Sequence, residues 1–572
     1  YGSPSSPNPD DYAFGWLANN TIAENTSGTG DGLYLLGSTV TLLNNIVVSH
    51  TEGIRAASSN SGADVRYTLF YGNGQDTTGF GTITNTHPIA GQSPLFVDPT
   101  AFDYHIWPHS PAVDAGDPTG APPAPSVDID GEPRPMGGGV DIGADEVGCT
   151  VQLNDGPTYP TVEAAVRAVT QPSDVVRVSG MCLAHDVELT QTLTLEGGWS
   201  RDFNRHDPQA RATLNAQGLG RVIEIRGGAP TVAYLNLVNG QTDADGAGVY
   251  AHSGATSPTL YRNEIYSNTA DDDGAGVYIS AAEATLDGNA IHHNATSSYG
   301  AGGGVYYSGQ VLLLRNSHIY SNTSGIGGGG GVYCDSDDAT LTGNEITANR
   351  TTNTGDGGGV EIGGFAGATL EGNTIRANTA HRNGGGVFVD YQSDITLTNN
   401  VVADNVCCQA QYSVGGAGVW LGTGDHILRH NTLANNEGGD GAGIRLGGDA
   451  VLTNTIVVSH SVGITLASTG SSAVLEGTLW HGNGQDYGGP GTLVTGTIDL
   501  HQPPAFADAA HGDYHLQAGS PAVDAGVALP AVRLDRDGNP RPDCAAWDIG
   551  AYEVQGLPCW RIYLPLTLRA GS

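Results

Sequence analysis

A valine or isoleucine following a glycine-rich turn recurs at Val249, Val277, Val305, Val332, Val360, Val387, Val419, Ile444 and Ile464. Most steps are 27 or 28 residues, with one 32-residue step after Val387 and shorter steps at the end. Gly-Ala-Gly-Val-Tyr stands intact at 246–250 and 274–278, and Gly-Gly-Val-Tyr at 303–306 and 330–333. A fixed period of this kind replaces the expectation that a chain of 572 residues divides into several compact domains.

A second track, Asn-x-Ile-x-x-Asn, runs beside the first. It reads Asn263/Ile265/Asn268, Asn289/Ile291/Asn294, Asn344/Ile346/Asn349, Asn373/Ile375/Asn378, Asn400/Val402/Asn405 and Asn431/Leu433/Asn436. Between the tracks lie alternating stretches such as Ala284-Thr285-Leu286 and Ala368-Thr369-Leu370. Each period thus holds about three short strands separated by Gly, Asn and Asp turns. Three short strands cannot bury their own apolar face, whereas stacked coils can. The pattern predicts an all-β chain, a right-handed parallel β-helix, with Val, Ile and Leu laddered inside. The asparagines are expected at left-handed corners, hydrogen-bonded to one another along the stack. An all-helical solenoid is excluded, because glycine and β-branched residues would break its helices at every turn. A β-propeller requires longer strands.

Near Cys149 the pattern starts afresh. Residues 161–169 have helical spacing, the strand-like Val175-Val176-Arg177-Val178 follows, and a helix here is expected to cap the first open coil. The stretch before it matches the chain's end. Ile46 to His50 equals 456–460, Gly72 to Asp76 equals 482–486, and Ser110 to Gly116 answers 520–526, at an offset of 410. The offset falls to 407 at Asp141-Ile142-Gly143-Ala144 and Asp548-Ile549-Gly550-Ala551. Residues 1–147 therefore read as the closing coils and cap of a first module that is incomplete at its N-terminus. Residues 149–500 read as a second β-helix, 501–555 as its cap, and 556–572 as an apolar tail. The chain opens on Tyr1 with methionine only at Met136 and Met181, which predicts a mature or excised segment whose export signal has gone.

Here the sequence resembles a known group. Val127-Asp128-Ile129-Asp130-Gly131-Glu132-Pro133-Arg134-Pro135, followed by Asp141 to Glu146, resembles the "choice-of-anchor Q" ending of bacterial secreted right-handed β-helix proteins. Leu534 to Pro542, with Asp548 to Glu553, is the second copy, and Tyr159 to Trp199 is similar to the first coils of the same proteins. Tyr563-Leu564-Pro565-Leu566 resembles tails of secreted proteins from filamentous green non-sulfur bacteria. The resemblance implies this fold and export, and implies little about activity.

The formal net charge is −37, and all 22 cations are arginine. Such a surface repels nucleic acid and anionic membrane and favours divalent cations or cationic partners. No apolar run approaches the ~18 residues a membrane span requires. Of seven cysteines, Cys149 with Cys182 and Cys544 with Cys559 bracket module ends as disulfide staples, which implies an oxidising compartment. Cys407 and Cys408 are adjacent and suit a vicinal disulfide, and Cys334 has no evident partner.

The best acidic cluster is Asp243, Asp245, Asp271 and Asp273, where a 28-residue offset stacks Asp245 under Asp273. Adjacent coils lie ~4.8 Å apart, so these are the candidate Ca²⁺ ligands, with solvated turn carboxylates as the plain alternative. The Asp-x-Asp-Gly runs at 128–131 and 535–538 lack the later acidic ligand of a Ca²⁺ loop and read as turns. The paired histidines His50/His460 and His105/His515 recur between modules, which points to packing or hydrogen bonding. His292 and His293 are adjacent on one strand, and alternation predicts that they face opposite ways and cannot chelate together. Tyr250, Tyr278, Tyr306 and Tyr333 follow the inward valines, so they are expected outside as a column, a candidate platform for stacking sugars.

No catalytic residues emerge from the sequence: the arginines are scattered and none recurs beside a carboxylate cluster. The reading is an extracellular structural protein, a secreted or cell-surface bacterial fibre or adhesin. It requires no cofactor, with Ca²⁺ as the one candidate ion, and its partners are head-to-tail copies of itself or a polysaccharide. The rival readings are a carbohydrate-active enzyme, lyase or glycoside hydrolase, and a glycan-binding module.

Overall fold

A computed structural model describes residues 13–24, 30–107, 110–117, 125–131, 134–136, 139–364, 367–390, 392–407, 415–543 and 546–556. They fall into two compact units. One is drawn from Tyr1–Val169, Val175–Leu183 and Gly197–Thr213, the other from Thr170–Asp174, Ala184–Glu196 and Leu214–Ser572.

In the second unit the strands pair parallel, coil on coil, in the register of the repeat. Val249 lies against Val277, Val277 against Val305, Val305 against Val332, and so on through Val360, Val387, Val419, Ile444 and Ile464. The track reaches further back, to Ile223 and Val187, where no glycine motif marks it. Two other tracks carry inward ladders, Leu260–Leu286–Leu314–Leu341–Leu370 and Ile265–Ile291–Ile319–Ile346–Ile375, all fully buried. A fully buried Leu or Ile contributes roughly 1.5–3 kcal/mol, so one coil's three strands are held chiefly by the coils above and below.

The Gly-x-Gly-Val motif has a steric cause. Gly274 sits at φ +62°, where a Cβ would come 2.8 Å from the Tyr278 side chain. At Gly276 a Cβ would stand 2.5 Å from the carbonyl oxygen of Gly304 in the next coil and 2.9 Å from Asn294 Nδ2. The first glycine permits the bend and the second permits the close approach of coils.

The asparagines do form ladders, through Asn268, Asn294, Asn322, Asn349, Asn378, Asn405 and Asn436, each at most 1% exposed. Asn294 Oδ1 accepts from both the backbone N–H and Nδ2 of Asn268, at 3.1 and 2.9 Å. Its own Nδ2 donates back to the Ile265 carbonyl at 2.9 Å and forward to Asn322 Oδ1 at 3.0 Å. Every hydrogen-bonding site of the buried amide is thereby satisfied. The expected left-handed asparagine is corrected: positive φ falls one residue earlier, on Ser267, His293, Ser321, Ala348 and Ala377. The preceding residue makes the bend, so the amide lies inside it. In the companion column serine replaces asparagine at 317, and Ser317 Oγ accepts the Asn289 N–H at 3.2 Å.

His460 ends the first ladder, 3.1 Å from Asn436 Nδ2 and 4% exposed. Burial pushes its imidazole down to about 4. Below pH ~6.5 the unfolded chain takes up a proton that the folded chain refuses. Stability from this site therefore falls as pH drops from ~6.5 toward 4 and levels off below. Replacing His460 by Asn, the residue used elsewhere in the ladder, should remove that dependence. Urea denaturation of both proteins at pH 7 and pH 4 should show the variant gaining about 3 kcal/mol on the wild type, and a constant difference would refute it.

In the first unit three parallel tracks, including Ser38–Leu43 on Gly62–Arg66 and Ile46–Val48 on Leu69–Tyr71, repeat the coil design. They close against an antiparallel pair, Phe96–Asp98 with Asp103–Ile106. The helix Val162–Arg167 forms where its spacing placed it, with Thr161 as N-cap accepting from the Ala164 N–H at 3.2 Å. Its buried residues Val162, Ala165 and Val166 pack toward the antiparallel strands Cys149–Leu153 and Val175–Leu183. The Cys149–Cys182 disulfide joins those two strands. Cys407 is disulfide-bonded and Cys334 is a buried free thiol. Cys408, Cys544, Cys559 and the tail 557–572 lie outside the described residues.

Candidate functional site

One outward column of the second unit concentrates chemistry. It runs Glu224, Tyr250, Tyr278, Tyr306, Tyr333, Glu361, Phe388, Trp420 and Arg445, each beside its neighbour in the next coil. Strand alternation puts these side chains out because Val and Ile on either side point in. The four tyrosines stack face to face, with centroids 5.0, 4.9 and 4.9 Å apart and planes within 13°. Arg221 covers the Tyr250 end at 4.7 Å, and Arg445 lies over Trp420 at 5.1 Å. The ring faces are used by one another, so a sugar would meet edges and hydroxyls. Burial pushes the Tyr306 and Tyr333 phenols up.

Beside this column stand the turn carboxylates. Asp245 Oδ1 accepts the Asp273 N–H at 3.0 Å, and Asp273 Oδ1 accepts the Ala301 N–H at 2.7 Å. Burial raises both carboxyls above the usual range, and at Asp273 the Asp245 charge adds to it. Asp243 and Asp271 instead line a separate pocket of about 390 Å³ with Asp186 and Arg221. The four aspartates thus divide into two pairs. Among the described residues one group of three or more possible metal ligands has its ligand atoms within 4.8 Å of one another, and it is His105, Asp130 and Asp145.

Sequence reasoning missed a cluster at the next level of the column. Asp356 Oδ1 accepts from Arg382 Nε and from the Asn383 N–H, both at 2.9 Å. Glu361 accepts the Gly329 N–H at 3.1 Å, and burial, with Asp356 adding, holds its carboxyl well above the usual range. An arginine therefore does sit beside carboxylates, against the expectation. The 26-residue separation of Asp356 and Arg382, one coil, was the available signal.

The histidine expectation also needs correcting. The strand Ala290–His292 ends at His292, and His293 takes φ +53°, turning its ring back. The two Nδ1 atoms lie 2.8 Å apart. His292 also meets Glu264 at 3.1 Å and stacks between Tyr266 and Tyr320.

Residues 231–377 and 327–479 match the family model described as right handed beta helix region. The chain is a right-handed parallel β-helix. Among solved structures, the crystal structure of pectate lyase Pel9A resembles this β-helix at 14% identity over 64% of this chain and 88% of that chain, with a TM-score of 0.37. No curated protein matches the sequence. Among the described residues no helix is long and apolar enough to cross a membrane.

Proposed function

We propose that this β-helix is a non-catalytic structural protein of a bacterial cell surface, a fibre or adhesin element that associates end to end. One observation carries the reading: the outward polar and aromatic side chains interact along the stack. The tyrosine faces stack on each other, and Asp245, Asp273 and Asp356 accept backbone N–H groups of the next coil. Groups directed along the axis reinforce the rod, whereas a substrate groove requires them to converge on a point above the surface. A Ca²⁺ shared by Asp243 and Asp271 would add a further link between coils.

The enzymatic reading has one observation in its favour: burial, with the Asp356 charge adding, holds the Glu361 carboxyl well above the usual range. A carboxyl raised by burial is what a general acid needs. The test combines two measurements. Electron microscopy of the full chain, with and without Ca²⁺ and with residues 557–572 removed, should show rods that lengthen end to end only when the tail is present. Incubation with a panel of acidic and neutral polysaccharides should release no new reducing or unsaturated ends. Product formation abolished by Glu361→Gln would replace the structural reading with the enzymatic one.

A further inference from the structure

The two cap copies share a histidine arrangement and differ in one neighbour. In the first, the strand Asp103–Ile106 places His105 with Nδ1 2.5 Å from Asp103 Oδ1 and Nε2 2.6 Å from Asp130 Oδ2. In the second, His515 meets Asp513 and Asp537 in the same way, at 2.5 and 2.7 Å. The Asp-x-Asp-Gly segments are turns, as expected, with Asp128 and Asp535 accepting the N–H two residues on. Each turn also delivers its second aspartate to the histidine. The third position breaks the symmetry. The first cap has Asp145, whereas the second has Tyr552, whose ring lies 3.8 Å from the His515 ring.

We propose that His105, Asp130 and Asp145 form a binding site for a divalent transition-metal ion such as Zn²⁺ or Mn²⁺, present in the first cap and absent from the second. One imidazole and two carboxylates suit these ions, whereas Ca²⁺ takes an all-oxygen shell. The supporting contacts match what such a site needs. Asp103 engages Nδ1, which directs Nε2 toward the two other carboxylates. Asp145 is 8% exposed and fixed by the Ile106 N–H on its Oδ2 at 2.8 Å. Asp130 lies on an exposed turn, so the site combines a rigid ligand with an open side for entry.

The 2.6 Å between His105 Nε2 and Asp130 Oδ2 is a hydrogen bond. A tetrahedral ion about 2.0–2.1 Å from each ligand separates them by roughly 3.3 Å, so this pair has to open by under about 1 Å, with the Asp145 ligand atom within 4.8 Å of both. The ion takes the place of the proton shared between Nε2 and Asp130, and that proton is released to solvent. At the second cap Tyr552 offers no carboxylate and its ring covers the histidine face.

Calorimetric titration of the chelator-treated full chain with Zn²⁺ and with Mn²⁺ tests this, Ca²⁺ serving as control. Wild type should bind one equivalent of Zn²⁺ or Mn²⁺ that Asp130→Asn and Asp145→Asn each weaken at least tenfold, and that Asp103→Asn weakens about 10–100-fold. Tyr552→Asp should gain a second equivalent, an outcome that misfolding cannot mimic. A wild-type chain that takes up neither ion, uptake that survives both aspartate substitutions, or a Tyr552→Asp chain that gains nothing would each overturn the proposal.

Discussion

Replacing Arg541 by Met is expected to cost about 3–5 kcal/mol and to loosen the closing cap of the second unit. Arg541 is 5% exposed, donates to Glu553 Oε2 at 2.9 Å, and also donates to the Gly550 and Asp548 carbonyls at 2.8 and 3.3 Å. Glu553 in turn accepts the N–H groups of Asp543 and Asp548, both at 3.1 Å. Burial already pushes the Glu553 carboxyl up to about 7. Without the guanidinium the carboxylate is left buried and uncompensated, and it will take up a proton. The paired change Arg541→Met with Glu553→Leu should therefore be milder than the single one, since no lone buried charge remains. Thermal unfolding of the three proteins measures this, and a double variant worse than the single would contradict it. The first cap repeats the pair as Arg134 and Glu146 at 2.8 Å, which gives the Pro-Arg-Pro and Asp-Ile-Gly-Ala segments of both copies a physical reason to occur together.

Asn349→Ala should be of similar severity, roughly 3–6 kcal/mol, because it strands several buried groups at once. The N–H and Nδ2 of Asn322 lose the acceptor that stands at 3.0 and 2.9 Å, and the Ile319 carbonyl loses its donor at 2.8 Å. Asn378 Oδ1 loses one of its two donors. Coils interact with their neighbours, so the damage should be local: hydrogen exchange should rise between residues ~322 and 378 while distant coils stay protected. Asn349→Asp separates the shape of the residue from its chemistry. At neutral pH it sets a carboxylate against the Ile319 carbonyl, whereas in acid the protonated form regains a donor. Protection in that variant should recover as pH falls, and uniform exchange along the chain in either variant would count against the ladder.

The sequence alone determined the coil, its step and its register. A side chain buried every second residue cannot shift by one without turning the core outward, so the spacing of Val249, Val277 and Val305 already contains their pairing. The same applies to the glycines and asparagines, whose contacts repeat from one coil to the next. The helix at Val162–Arg167 was legible because its apolar spacing is local.

Tertiary structure decided whatever depends on side-chain direction at corners or on parts that do not repeat. Alternation predicted opposed faces for His292 and His293, and a single positive φ reversed the second ring. The column of aspartates was visible, but its division into a pair on backbone N–H groups and a pair at a pocket follows from the turn conformation. Glu361 lies in a column that looked aromatic, Asp356 stands in the turn before it, and Arg382 arrives from the next coil. His105, Asp130 and Asp145 meet within a cap that has no period, so no spacing rule connects them, and only the folded chain brings their ligand atoms within 4.8 Å.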